Sequence, residues 1–209
     1  DAVSGSEPFP LTRKANAISF TCVTDATTCI TSDAPARIAV DIRGTGPLVI
    51  TVPGMGDLRS ADAALADALA ADGYRVVSMD LRGHGGSDLG FAELGDSPTA
   101  SDIVVLIEQH GGPAVVIGTS MGASSAVLAA ANRPDLVAGL VLLSPFVRNG
   151  GGNPALMRLL YRMLFAWPWG AAAWAKFYAT KLNAGATPAD HAAHVAEIRA
   201  ALRRPGYLA

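Results

Sequence analysis

The sequence has few charged residues, few aromatic residues and no long uninterrupted apolar segment. Charged side chains make up 16% of the 209 residues, and the formal net charge is −2. Because a nucleic-acid-binding protein needs a concentrated basic surface, we do not expect nucleic acid as a main partner. Arg or Pro breaks the longest apolar runs before they reach the roughly 20 residues that span a bilayer, so we expect no stable membrane insertion.

Cysteine occurs only at Cys22 and Cys29. Two cysteines without nearby histidines supply too few ligands for a metal, and we expect no metal and no cofactor. If residues 20–24 and 27–31 form a hairpin, the two cysteines face each other, and either a disulfide or two free thiols would fit. The chain begins at Asp1 without a signal-like segment, so we expect it to start after processing, trimming or fragmentation. A cytoplasmic location is favoured unless the disulfide forms, which would favour secretion.

Half of the residues are apolar, which excludes a disordered chain and allows one domain, or one domain with a lid. Residues 1–146 alternate short apolar runs with helical patterns, which predicts an α/β core with a mostly parallel central sheet flanked by helices. Residues 147–209 begin with a glycine-rich linker and are then helical in pattern and rich in aromatic residues. This second segment is predicted to form a helical cap or lid.

Local patterns place the individual elements. Residues 17–43 are rich in Thr, Val and Ile, which predicts antiparallel strands at a sheet edge. We predict helix 58–72 with Asp57 as its N-cap, and helix 101–110 with Ser101 as its N-cap. The remaining predictions are strands 48–52, 74–79, 113–117 and 136–143, helix 121–132, and cap helices near 156–164, 169–182 and 188–203.

The most informative stretch is an apolar strand, a tight turn and an Ala-rich helix around Ser120. The turn spells G-T-S-M-G from Gly118 to Gly122, which fits the G-x-S-x-G nucleophile elbow. Glycines are needed two residues before and after the serine, because a Cβ there would collide with the neighbouring strand and helix. The bend exposes the serine hydroxyl where the next helix presents free N–H groups.

Three more motifs follow predicted strands in order. They are V-P-G-M-G-D at 52–57, M-D-L-R-G-H-G-G-S-D at 79–88 and L-V-L-L-S-P at 140–145. Together with the G-T-S-M-G turn, this ordered set resembles the α/β-hydrolase family over residues 48–145. The resemblance implies an α/β-hydrolase fold with a helical cap.

The resemblance also implies a chemistry. Ser120 would be the nucleophile, the backbone N–H groups of Met55 and Met121 would form the oxyanion hole, and Gly54 would be the loop glycine beside it. A serine, where some relatives carry a nucleophilic aspartate, indicates acyl transfer through an acyl-enzyme. The expected partner is a small-molecule acyl substrate, such as an apolar carboxylic ester, in a pocket formed by Phe165, Trp167 and Trp169.

The chain departs from the family after Leu143. Members of this family carry an acid and then a histidine on loops after later strands, and no such strand is visible here. The C-terminal part of the core is therefore expected to be missing. Ending a sheet at residues 136–143 would also leave a bare apolar edge, so we expect a missing segment or a second chain to complete the fold.

Two other functions are open. The chain could be a non-catalytic binding or scaffold protein that keeps the elbow without the triad. A dinucleotide-binding protein is disfavoured, because Arg59 stands where the third glycine of its fingerprint belongs, although Asp80 is placed for a ribose. Among the histidines, His84 is expected to be structural, and His191 and His194 to be solvent-facing residues of the cap.

Overall fold

The computed structural model describes residues 28–30, 36–145, 153–164, 169–178 and 191–205. Within these ranges the strands are β1 Thr28–Ile30, β2 Arg37–Arg43, β3 Leu48–Val52, β4 Arg75–Met79, β5 Ala114–Thr119 and β6 Val137–Leu143. The helices are α1 Ala63–Ala71, α2 Asp96–His110, α3 Met121–Asn132, α4 Pro154–Leu164, α5 Gly170–Phe177 and α6 His191–Ala201.

The six strands form one sheet in the order β1-β2-β4-β3-β5-β6. Strands β4, β3, β5 and β6 run parallel, whereas β1 and β2 are antiparallel additions at one side. All five residues of β3 are buried, as expected for a central strand covered on both faces. The predicted mostly parallel sheet with antiparallel edge strands is therefore confirmed.

Helices cover both faces of this sheet. Ile50 and Val116 belong to the main apolar core, which Ile103 and Ile107 of α2 and Ala126 of α3 complete. A smaller cluster on the other face contains Val49, Val76 and Ala66 of α1. The layering follows from the sequence, because strands that are apolar on both sides need helices on both sides.

Two helix starts differ from the prediction. Arg59–Asp62 is a 3₁₀ helix and α1 begins only at Ala63; Asp57 does not cap a helix, because its side chain is occupied elsewhere. Helix α2 begins at Asp96, five residues before the predicted cap Ser101, whose hydroxyl donates back to the Ser97 carbonyl. Pro98 in the first turn of α2 is compatible with a helix, because the N–H groups there need no intrahelical partner.

Helices α5 and α6 pack on the segment that follows β3. Leu58 from that segment joins Trp174 and Tyr178 of the α5 end, and Ile198 and Leu202 of the α6 end, in a separate apolar cluster. The predicted division between residues 146 and 147 lies outside the described residues and stays a prediction. No helix in the described ranges is long and apolar enough to cross a membrane.

Strand β6 forms one side of the sheet. In the described part of the chain it pairs with β5 and with no other strand. Several of its large apolar residues are exposed to solvent: Val141 and Leu143 are each 44% exposed and Leu140 is 37% exposed. An apolar strand with a free edge is rare in folded domains, because its unpaired backbone groups attract other chains.

Candidate active site

The elbow at Ser120 has the geometry that its glycines predict. Ser120 has φ 52° and ψ −113° between β5 and α3, an unusual conformation for a residue with a side chain. A Cβ on Gly118 would lie 2.5 Å from the Gly122 carbonyl oxygen, and one on Gly122 would lie 2.4 Å from the Val52 carbonyl oxygen. The bend therefore requires glycine at both positions. The Ser120 N–H donates to the Leu143 carbonyl at 2.9 Å, which ties the bend to the end of β6.

A tight turn after β3 lies against this elbow. The Asp57 N–H donates to the Gly54 carbonyl at 3.1 Å and Gly56 has φ +80°, as in a type II turn. A Cβ on Gly54 would be only 3.3 Å from the Ser120 Cβ. The turn thus brings the Met55 backbone beside the serine, while the role of the Met55 and Met121 N–H groups stays a prediction.

His84 holds the middle of this turn. Its Nε2 accepts a hydrogen bond from the Gly56 N–H at 3.0 Å, and its Nδ1 lies 3.0 Å from the Arg82 carbonyl oxygen. An accepting Nε2 requires the proton on Nδ1, which then donates to Arg82. Burial lowers the pKa of His84, so the neutral ring that this arrangement needs is favoured. The geometry agrees with the structural role expected for this histidine.

His194 occupies a different place from the one predicted. Its side chain is only 12% exposed, and its Nε2 lies 2.8 Å from Asp57 Oδ1, so the expectation of a solvent-facing residue was wrong. Burial alone would lower the pKa of His194. The hydrogen bond and charge of Asp57, together with Glu197, outweigh burial and raise the pKa. No local pattern signals this contact, because the two residues are 137 positions apart.

The aromatic residues of the predicted pocket are placed only in part. Phe165 and Trp167 lie outside the described residues. Trp169 is 57% exposed, and its indole N–H donates to the Met163 carbonyl at 3.0 Å. Trp174, which the pocket prediction did not include, is buried, and its indole N–H donates to the Gly56 carbonyl at 3.0 Å. No local sequence pattern signals this contact, because Gly56 and Trp174 are 118 positions apart.

The structure weakens the dinucleotide interpretation. The Asp80 side chain is fully buried and accepts hydrogen bonds from the backbone N–H groups of Arg59 and Gly86, both at 2.8 Å. It also pairs with the Arg59 guanidinium. A carboxylate with these partners has no free face for a ribose hydroxyl.

The described residues contain no partner for the Ser120 hydroxyl that could act as a base. All four histidines of the chain, His84, His110, His191 and His194, are described, and none is hydrogen-bonded to Ser120. Within the same ranges, no group of three or more His, Cys, Asp or Glu residues could hold a metal ion.

Parallel strands, flanking helices and a serine on a strained strand-to-helix bend define the class of this protein as the α/β-hydrolase fold. The family model described as serine aminopeptidase, S33, matches residues 45–202. The chain therefore belongs to that family of hydrolases.

Relatives with known names support the same family. The chain is 33% identical over 121 residues to 2-(acetamidomethylene)succinate hydrolase of Mesorhizobium japonicum, an alignment that covers 54% of this chain and 42% of that protein. It is 41% identical over 78 residues to lipase LipV of Mycobacterium tuberculosis, covering 37% and 30% respectively. The chain spans less than half the length of these two curated relatives.

Solved structures share the fold. A thermophilic esterase from Thermogutta terrifontis superposes with a TM-score of 0.70 at 25% identity, covering 87% of this chain and 67% of the esterase. The epoxide hydrolase CorEH superposes with a TM-score of 0.65 at 22% identity, covering 87% and 69%. At that lower identity, the likeness shows the fold alone.

Proposed function

We propose that the protein is a serine hydrolase that cleaves an apolar carboxylic ester or a related acyl substrate through an acyl-enzyme on Ser120. The observation that carries the proposal is the positive φ of Ser120 at the end of β5. Such a conformation costs about 1–3 kcal/mol and is kept where it serves to present a functional group. Here it presents a hydroxyl in front of the N-terminus of α3.

The proposed reaction has two steps. The Ser120 hydroxyl loses its proton to a base and attacks the acyl carbonyl, and the alcohol leaves with a proton to give the acyl-enzyme. Water then releases the acid and regenerates the serine. The Met55 and Met121 N–H groups are proposed to donate to the oxyanion in both steps, where each fixed donor is worth about 3–4 kcal/mol of barrier.

The base and its acid are proposed to come from outside the described residues. A further segment of a longer polypeptide, or a second chain, would pair with β6 and carry them. Three observations support this: none of the four histidines is hydrogen-bonded to Ser120, the outer edge of β6 is unpaired among the described residues, and the curated relatives are longer.

The substrate is proposed to be a small, largely apolar acyl compound bound beneath the aromatic part of the cap. Phe165, Trp167 and Trp169 are the proposed pocket residues. The names of two similar proteins, a lipase and an esterase, are compatible with an ester.

A non-catalytic binding or scaffold protein is the second candidate. The observation that favours it is the absence of a histidine at Ser120 among the described residues, since losing that base costs on the order of 10⁶ in turnover. Such a protein would keep the elbow as a structural element only.

Labelling with a fluorophosphonate probe separates the two candidates. With the proposed further segment or second chain present, the protein should be labelled and its Ser120→Ala variant should not, whereas the 209-residue chain alone should react far more slowly because it lacks the base. Ser101→Ala is a matched control, because Ser101 is an exposed serine in the middle of α2. A folded wild-type protein that carries this segment or second chain and still remains unlabelled would contradict the enzyme proposal.

A further inference from the structure

We propose that His84 and Trp174 are positioning residues of the oxyanion hole: they hold the two peptide groups of Gly56 and thereby fix the direction of the Met55 N–H. The inference rests on the proposed function, since it assumes that this N–H receives the oxyanion. It assigns a role to a buried histidine and to a tryptophan of α5 that do not touch Ser120 in the described structure.

Three consecutive peptide planes in the turn are each held by a hydrogen bond. The Gly54 carbonyl accepts from the Asp57 N–H at 3.1 Å, the Gly56 N–H donates to His84 Nε2 at 3.0 Å, and the Gly56 carbonyl accepts from the Trp174 indole at 3.0 Å. Because a peptide group is planar and trans, its N–H points opposite to its C=O. The Gly54 carbonyl and the Met55 N–H share one plane, so binding the carbonyl inside the turn directs the N–H out of it.

His84 selects the turn type. Types I and II differ mainly by a flip of the central peptide, which here contains the Gly56 N–H. After a flip this N–H would leave His84, and the half-buried Nε2 would lose its donor. An unmet polar group of this kind is costly, so His84 stabilises the type II turn, and the Asp57–Gly54 hydrogen bond that closes this turn sets the direction of the Met55 N–H.

Trp174 holds the opposite side of the same residue. A Cβ on Gly56 would lie 2.6 Å from the indole ring, so the close approach of the tryptophan depends on glycine at this position. The Trp174 side chain is 8% exposed and belongs to the apolar cluster that also contains Leu58. Helix α5 thus contributes directly to the geometry of the turn beside the elbow.

The arrangement predicts a specific ring state. Nδ1 must carry the proton and Nε2 must be bare, because a proton on Nε2 would face the Gly56 N–H. Nitrogen NMR of the full chain, labelled in its histidines, reads this state without any activity. Finding His84 in the Nε2–H form, or charged, at neutral pH would overturn the inference.

Kinetics test the effect on the reaction. The fluorophosphonate labelling of Ser120 is resolved into a reversible binding constant and a maximal rate, in full-length His84→Leu and His84→Gln. A small displacement of a donor can cost about 10²-fold in rate. We expect His84→Leu to lower the maximal rate by about that factor with unchanged binding, and His84→Gln, whose carbonyl can accept the Gly56 N–H, to recover most of it.

Trp174→Phe is the second variant. It tests whether the Gly56 peptide groups position the oxyanion hole if His84→Leu does not fold. It should lower the maximal rate about 10-fold, whereas Tyr74→Phe, at an exposed aromatic residue just before β4 and outside the proposed site, should not. Folded His84→Leu and Trp174→Phe chains that label at the wild-type rate would overturn the inference while leaving the proposed function intact. A wild-type protein that carries the proposed further segment or second chain and does not label would overturn the proposed function and with it the catalytic consequence, while the NMR result would still decide which hydrogen bond His84 makes.

Discussion

His194 Nε2 lies 2.8 Å from Asp57 Oδ1 and thereby joins α6 to the turn beside the elbow. The Tyr178 hydroxyl donates to the other oxygen of Asp57 at 3.1 Å, and the Ser60 hydroxyl lies 3.1 Å from His194 Nδ1. Ser60 also donates to Glu197 at 2.6 Å. This cluster connects the two last helices to the same short turn that His84 and Trp174 hold.

The Asp57–His194 pair should make stability depend on pH. The pKa of His194 is raised in the folded chain, so its contribution is fully present below the unfolded pKa of about 6.5 and is lost as pH rises through the folded pKa. His194→Gln should therefore lower the free energy of unfolding by roughly 0.5–1 kcal/mol at pH 5.5 and by less at pH 8.5. Urea denaturation at both pH values measures this.

The other charged groups around His194 are shared by wild type and variant. They are Asp57 and Asp62 after β3 and Glu197 on α6. Burial raises the pKa of Asp62 and the charge of His194 opposes that rise, so the measured difference includes the response of Asp62. His191→Gln is the control, because His191 stacks on Tyr178 without an ion pair among the described contacts. An equal loss for His194→Gln at both pH values would contradict the assignment.

The sequence predicted the bounds of an element correctly where characteristic residues mark both its start and its end. The predicted strand 48–52 and helix 121–132 coincide with β3 and α3, because glycine or proline residues bound the first and the elbow and Asn132 bound the second. The start of α2 was missed by five residues. Residues 96–100, with the sequence D-S-P-T-A, were not predicted to be helical, although a proline is compatible with the first turn of a helix.

The candidate site was predictable only where it is local. Ser120 and its glycines lie within five residues, so one motif identifies them. Asp57 was interpreted from its neighbours as a helix cap, but its carboxylate is used by Tyr178 and His194, more than 120 positions away. Such long-range contacts depend on the tertiary fold, and a local sequence pattern cannot predict them.

The buried pair of Arg82 and Asp102 should be costly to break. The guanidinium donates to both carboxylate oxygens, at 2.7 and 2.8 Å, and both side chains are at most 6% exposed. Asp102→Asn would remove the carboxylate charge that faces the buried Arg82 guanidinium, so we expect a loss of about 3–5 kcal/mol in the free energy of unfolding.

Guanidinium denaturation measures this loss. Asp135→Asn is the matched control, because Asp135 pairs with Arg133 at the surface and is 62% exposed. That substitution should leave the unfolding midpoint unchanged. Similar midpoints for the two variants would show that the Arg82–Asp102 pair is not buried as described.

Gly122→Ala should disrupt the elbow although alanine is the better helix former. In an exposed helix the change would stabilise by about 1 kcal/mol. Here the new Cβ would lie 2.4 Å from the Val52 carbonyl oxygen and 2.6 Å from that of Pro53, and backbone atoms cannot yield as a flexible side chain can. We expect a net loss of about 1–3 kcal/mol and loss of fluorophosphonate labelling.

Thermal unfolding and the labelling assay check this expectation. Gly90→Ala is the control, because no atom lies within 4 Å of the Cβ it would add. If Gly122→Ala were as stable and as reactive as Gly90→Ala, the close contact between the elbow and β3 would be incorrect.

Strand β6 makes a prediction about association. Val141 is 44% exposed on a strand whose outer edge is unpaired in the described structure, and such edges promote pairing between chains. In the 209-residue chain, Val141→Lys should therefore reduce self-association in sedimentation velocity while changing the free energy of unfolding by less than about 0.5 kcal/mol. Leu128→Lys is the matched control, since Leu128 is 38% exposed but lies on helix α3, whose backbone offers no strand edge for pairing. It should leave association unchanged.

A Val141→Lys chain destabilised by more than about 2 kcal/mol would mean that this side chain is buried and that β6 is not the open side of the sheet.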